Sequence, residues 1–273
     1  MSQTLEFQVP NPEMEEVCRA LAVPERVSAS LRELNVLSKG WQACLEVDEQ
    51  RIAFWMFGSG PIVLLMHGWC SRGSHLAGYV KPLLAAGYSV VLFDAPAHGH
   101  SSGTFSSIVH TGRVVLKLAE HLGGIHALIA HSAGSTAALW AQANGLIVRR
   151  SVHICGPTSL SAVVLDIARS HGLNDRETEA FCIWAEDFMG ASLHSLDLPA
   201  LSMGLKHPGL LIHDIDDHVV PMAQSKALHV IWTRSTLMET SGLGHRRILS
   251  DAHVISSAVE FLGSSHYALA KRG

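Results

Sequence analysis

The chain has 273 residues, a formal net charge of −4, 48% hydrophobic residues and 16% charged ones. Such a balance supplies a large apolar core and excludes a disordered chain. The basic residues are scattered, without the stripe or patch that a nucleic-acid binder needs, so no nucleic-acid partner is expected.

Residues 1–40 read as an N-terminal helical extension. One helix is expected to start at Asn11-Pro12-Glu13, a cap followed by proline at the first helical position, and a second to run from Pro24 to about Leu37. Both are expected to pack against the edge of a sheet. The acidic start MSQTLEFQVPNPEMEE has neither the cationic head nor the apolar run of an export signal. The five cysteines are widely spaced and include no C-x-x-C pair, which argues against a disulfide framework and a zinc knuckle. Apolar runs such as IVLLM fall far short of the roughly 20 residues of a membrane span. These features predict a cytoplasmic protein with no membrane span.

Residues 41–58 read as an antiparallel hairpin at one edge of the sheet. From Pro61 onward, apolar β-rich runs alternate with helical stretches. The strands are expected at 61–66, 88–93, 125–130, 150–155, 209–213 and 236–240, each a continuous apolar run suited to burial on both faces. Helices are expected at 75–86, 110–122, 133–144, 222–231 and 251–262. Residues 156–207 are far too long for a plain connection, and their helical stretches near 159–170 and 175–189 are expected to form a small lid. The fold class is therefore α/β, with a mostly parallel central sheet, helices on both faces and a helical lid inserted into a domain spanning 41–273.

The segment Ala130-His131-Ser132-Ala133-Gly134 joins a strand to an alanine-rich helix through a very short turn. A serine on such an elbow is lifted above the sheet edge, and its neighbours two before and two after must be small because the strand and helix backbones nearly touch. A serine nucleophile needs a base, and the base needs an orienting acid. The loop after the strand at 209–213 carries Asp214, Asp216 and Asp217, and the loop after the last strand ends on His245. Both sit where an open α/β sheet presents its ligand groups, and the order Ser, Asp, His is the order of the elbow motif.

Four blocks make the chain resemble the α/β-hydrolase superfamily of serine hydrolases from about residue 41 to 263. They are His67-Gly68-Trp69, Asp94-Ala95-Pro96-Ala97-His98-Gly99-His100-Ser101, the elbow itself, and the pair Asp217-His218-Val219-Val220-Pro221 with Gly242-Leu243-Gly244-His245. The resemblance implies Ser132 as nucleophile, His245 as base and Asp217 as its partner, chosen among the three aspartates by the spacing to Val220-Pro221. It also implies an oxyanion hole from the backbone N–H groups of Trp69 and Ala133. Asp214 and Asp216 are then expected in a solvated turn. Ala130 stands where the family carries glycine.

The implied reaction is hydrolysis of a small-molecule carboxylic ester or thioester through an acyl-enzyme, with no cofactor and no metal. Acyl transfer or cleavage of a C–C bond beside a carbonyl would use the same triad, and a non-catalytic ligand-binding protein would keep only the pocket. Trp69, Phe105, Trp184 and Phe188 are candidates to line that pocket. A metal at Asp94, His98, His100 and His110 is disfavoured for want of a carboxylate at ligand spacing. His131, beside the nucleophile, is assigned to loop anchoring.

Overall fold

A computed structural model describes residues 9–10 and 12–264; the cap expected at Asn11 lies outside them. The chain runs through α1 (Glu15–Ala22), α2 (Leu31–Leu37), β1 (Trp41–Val47), β2 (Gln50–Phe57), β3 (Ile62–Met66), α3 (Val80–Ala85), β4 (Ser89–Phe93), α4 (Ile108–His121), β5 (Ala127–His131), α5 (Ala133–Ala143) and β6 (Arg150–Ile154). There follow α6 (Leu160–Ser170), α7 (Asp175–Met189), α8 (Leu198–Leu201), β7 (Gly209–Asp214), α9 (Ala223–Ile231), β8 (Ser235–Thr240), α10 (Gly244–Arg247) and α11 (Ala252–Gly263). The described strands form one eight-stranded sheet in the order β1-β2-β4-β3-β5-β6-β7-β8. β1, β2 and β4 pair antiparallel, and β4 through β8 along the sheet pair parallel.

Every residue of β4 and β5 is buried, the reason their sequences are apolar without alternation. The two-residue period still governs which core each side chain enters. Leu64, Met66, Val91, Phe93, Leu128 and Ala130 point to a core shared with α1, α4, α5, α6 and α7. Val63, Leu65, Val90, Leu92, Ala127 and Ile129 point to one shared with α2, α3 and α11. The β1–β2 turn is made by Asp48 and Glu49, both at positive φ (46° and 61°), the backbone of a two-residue hairpin turn.

The expected helix from Pro24 is shorter than read. Residues 23–30 carry no helix, and α2 begins after Ser30, which caps it in a reciprocal box with Glu33. Tertiary contacts hold the extended stretch. The Arg26 guanidinium donates to the carbonyls of Gly99 (2.8 Å), Ser101 (2.9 Å) and Gly103 (2.9 Å), and Arg72 donates to the carbonyl of Val27 at 3.1 Å. The extension thus crosses loops at the carboxyl ends of β3 and β4 rather than lying along the sheet edge. Residues 156–207 fold into α6, α7 and α8, and α1 packs against α6 and α7 through Val17, Cys18 and Ala22.

Chain order reverses at β3: β4 lies on one side of it and β5 on the other. The crevice outside the carboxyl ends of β3 and β5 is where such a sheet receives a ligand. Ser132 and the turn His67-Gly68-Trp69 both stand there.

Candidate active site

Ser132 follows β5 directly and begins α5 with φ 52° and ψ −128°, a conformation that costs a non-glycine residue of order 1–3 kcal/mol. Its own N–H donates to Ile154 O (2.9 Å) and its carbonyl accepts from Ser135 N (2.8 Å), so backbone bonds on both sides fix the turn. The elbow is also crowded. A Cβ on Gly134 would lie 2.3 Å from His67 O, and one on Gly68 would lie 2.8 Å from Ser132 Cβ and 3.3 Å from its Oγ. Glycine at both places lets the turn after β3 press against the Ser132 elbow.

His245 Nε2 lies 2.9 Å from Ser132 Oγ, and its Nδ1 lies 2.7 Å from Asp217 Oδ2. A carboxylate only accepts, so the ring donates Nδ1–H to Asp217 and leaves the Nε2 lone pair to receive the Ser132 hydroxyl proton. The Asp217 side chain is fully buried and that of His245 is 10% exposed. Burial alone would raise the Asp217 pKa. The amides of Val220 (2.9 Å) and Val219 (2.8 Å) on Oδ1, together with His245 on Oδ2, outweigh it and hold the carboxyl below its ordinary value.

The other two aspartates build the frame around this pair. Asp214 is completely buried, contrary to the solvated turn expected. It accepts from Thr240 Oγ1 (2.7 Å), Leu243 N (3.2 Å) and Asp216 N (3.1 Å), and so ties the loop after β7 to the loop that carries His245. Asp216 points outward and accepts from Gly242 N at 2.8 Å. His131 donates Nε2–H to the carbonyl of His245 (2.8 Å), and burial next to that imidazole pushes its own ring down to about 3. It anchors the loop of His245 as a neutral donor. His67 donates Nδ1–H to Gly68 O (2.7 Å) and accepts from Ala95 N (2.9 Å), which locks the turns after β3 and β4 together.

Trp69 lines a small cavity with Gly68, Ala133 and Gly134, while Phe105, Trp184 and Phe188 lie in or against the hydrophobic core. Trp184 and Phe188 stack on each other with centroids 5.2 Å apart. The histidines around Asp94 are turned onto backbone and rings: His98 Nδ1–H donates to Pro96 O (2.8 Å), and His110 meets the edge of Phe188. Asp94 accepts from Gly73 N and His100 N, both at 2.8 Å.

Among the described residues, the side chains with metal-ligand spacing are Cys155, Asp217 and His245, whose ligand atoms lie within 4.8 Å of one another. Burial raises the Cys155 thiol far above its ordinary pKa, so in the metal-free protein it stays protonated at neutral pH. Cys155 is a neighbour of the triad that the sequence does not disclose, because it reaches Asp217 from the end of β6. All five cysteines are free thiols.

A profile described as the alpha/beta hydrolase fold matches residues 61–180. No curated protein matches the sequence. Among solved structures, an esterase from Pyrococcus furiosus is 19% identical with a TM-score of 0.67, over 88% of this chain and 98% of that one. A bromoperoxidase from Bacillus anthracis is 20% identical with a TM-score of 0.63, over 81% of this chain and 99% of that one. A thioesterase domain from the curacin biosynthetic pathway is 16% identical with a TM-score of 0.61, over 82% of this chain and 99% of that one. These likenesses establish the fold. No helix among the described residues is long and apolar enough to cross a membrane.

Proposed function

The chain has the alpha/beta hydrolase fold, and on that premise we propose that it is a serine hydrolase of small-molecule carboxylic esters or thioesters. The observation that carries the reading is the hydrogen-bonded series from Asp217 Oδ2 through His245 to Ser132 Oγ, at 2.7 and 2.9 Å. In this reading Ser132 Oγ attacks the carbonyl carbon while His245 Nε2 takes its proton, and the carbonyl electron pair moves onto oxygen. The backbone N–H groups of Trp69 and Ala133 receive that oxyanion. Collapse of the intermediate expels the alcohol or thiol, protonated by His245. Water, deprotonated by the same nitrogen, then releases the acid from the acyl-serine. Asp217 holds the imidazole in the tautomer both steps need, and no cofactor takes part. The free thiols suit a reducing, cytoplasmic setting.

A fluorophosphonate probe tests the reading, followed by ester hydrolysis with aryl esters of rising acyl length. Covalent labelling of the wild type, lost in Ser132→Ala together with about 10⁶ in kcat, is the expected result. Unchanged turnover in a folded Ser132→Ala variant would end the proposal.

A further inference from the structure

β7 is buried from Gly209 to Asp214, and a strand of that kind ordinarily carries apolar side chains throughout. Position 213 holds instead a histidine that is completely buried and takes no part in the reaction described above. Its Nε2 lies 2.9 Å from Val220 O and 3.5 Å from Asp217 Oδ2, the oxygen that also faces His245, and its Nδ1 lies 2.7 Å from Ser225 Oγ. A carbonyl and a carboxylate only accept, so Nε2 carries the proton and donates it to Val220 O. Nδ1 then accepts from the Ser225 hydroxyl. Burial keeps the ring below its ordinary pKa, so this neutral form holds at neutral pH.

These bonds act on the turn that aims Asp217. The Val220 carbonyl is held by His213, while the N–H groups of Val220 and Val219 donate to Asp217 Oδ1 at 2.9 and 2.8 Å. The turn is thus closed on itself by the carboxylate and fastened to β7 by the imidazole, and Ser225 ties the same ring to α9. With Oδ1 committed to the turn, Oδ2 is left to face His245 Nδ1 at 2.7 Å. Precision here matters, because a misplacement of about 1 Å can cost about 10²-fold in rate. Resting on the hydrolase reading above, we propose that His213 is a positioning residue for the reaction: oriented by Ser225, it fixes the Asp217–Val220 turn so that Asp217 presents Oδ2 to His245.

Two polar substitutions separate the bonds. Glutamine carries its amide nitrogen as many bonds from Cβ as Nε2 and can still donate to Val220 O, whereas asparagine reaches only as far as Nδ1 and can serve Ser225 alone. On one activated ester, His213→Asn is expected to lower kcat about tenfold through loss of one buried hydrogen bond. KM should stay unchanged, because Asp217 bonds the imidazole and not the substrate. His213→Gln is expected to recover most of that loss. The decisive comparison is made in an Asp217→Asn background, where no carboxylate is left to aim. There His213→Asn should cost less than about twofold further, since residues that act as a unit are not additive. Ser225→Ala, expected to lower kcat about threefold with the same dependence on Asp217, serves should His213→Asn fail to fold. An equal loss in the two backgrounds, or a folded His213→Asn with wild-type kcat, overturns the positioning role and leaves the hydrolase reading standing. A wild type that neither takes the fluorophosphonate label nor turns over the ester overturns that reading, and the role of His213 with it.

Discussion

Three aspartates lie within four residues of one another, and geometry gives each a different task. Asp217 alone bonds the His245 imidazole, at 2.7 Å, while Asp216 accepts from the Gly242 amide and Asp214 cross-links two loops from a fully buried position. An asparagine at 217 would offer an N–H or a carbonyl oxygen to Nδ1 and no longer enforce the tautomer with Nε2 unprotonated. On the hydrolase reading, Asp217→Asn is expected to lower kcat by about 10⁴. Asp216→Asn keeps an oxygen for Gly242 N and should change kcat less than about threefold, since a neutral hydrogen bond contributes about 1 kcal/mol or less. Steady-state kinetics of both variants on one activated ester checks the pair. A crippled Asp216→Asn beside an active Asp217→Asn would move the orienting role by one residue.

At the level of elements, the strained serine is held by contact between the β5–α5 elbow and the turn after β3. Gly134 sits one turn into the contact, where an added methyl would lie 2.3 Å from His67 O and 2.9 Å from Met66 O. Both obstacles are backbone, so the helix or the turn must move. Gly134→Ala is expected to destabilise the fold by about 1–3 kcal/mol, the usual cost of overpacking. It should also lower kcat, because the displaced turn carries Trp69. Urea denaturation read with kcat on the same preparations tests this; a variant with unchanged midpoint and unchanged kcat would show that the elbow tolerates side chains. The N-terminal extension is a second element with a local consequence. Through Arg26 and Val27 it straps the loops after β3 and β4, which in turn line the small cavity at Trp69.

Across the whole molecule, acid sensitivity follows from the histidines. Burial holds His67, His110 and His207 down to about 4, and His98, His131 and His153 down to about 3. In the unfolded chain these rings titrate near 6.5. Below that pH the unfolded state binds protons that the native state refuses, so stability falls as pH falls from about 6.5 toward 4. Each ring contributes a slope of about 1.4 kcal/mol per pH unit in that window. The lowered carboxyls of Asp214 and Asp217 extend the loss to lower pH, since their stabilisation disappears as they protonate. Calorimetry at pH 5 in buffers of different ionisation enthalpy should find about six protons taken up on unfolding from these rings. A Tm that stays level from pH 7.5 to 4.5 would contradict the burial of neutral imidazoles.

The sequence by itself determined the sheet and the order of its loops. Strands buried on both faces must be apolar throughout, so β3 to β7 stood out as continuous runs, with ends displaced by only a residue or two. Functional loops at their carboxyl ends followed from the topology, and the small residues around Ser132 from the close approach they permit. Tertiary structure decided what depends on contact between distant segments. Residues 23–30 gave up helix because carbonyls 73 to 77 residues away bind Arg26. Trp184 and Phe188 pack into the core because α7 turns its aromatic face onto α1 and α4, a direction that helical periodicity does not specify. Cys155 meets Asp217 only because β6 and β7, far apart in sequence, end side by side. Local patterns in a chain record which residues are buried, and the fold alone sets which buried residues touch.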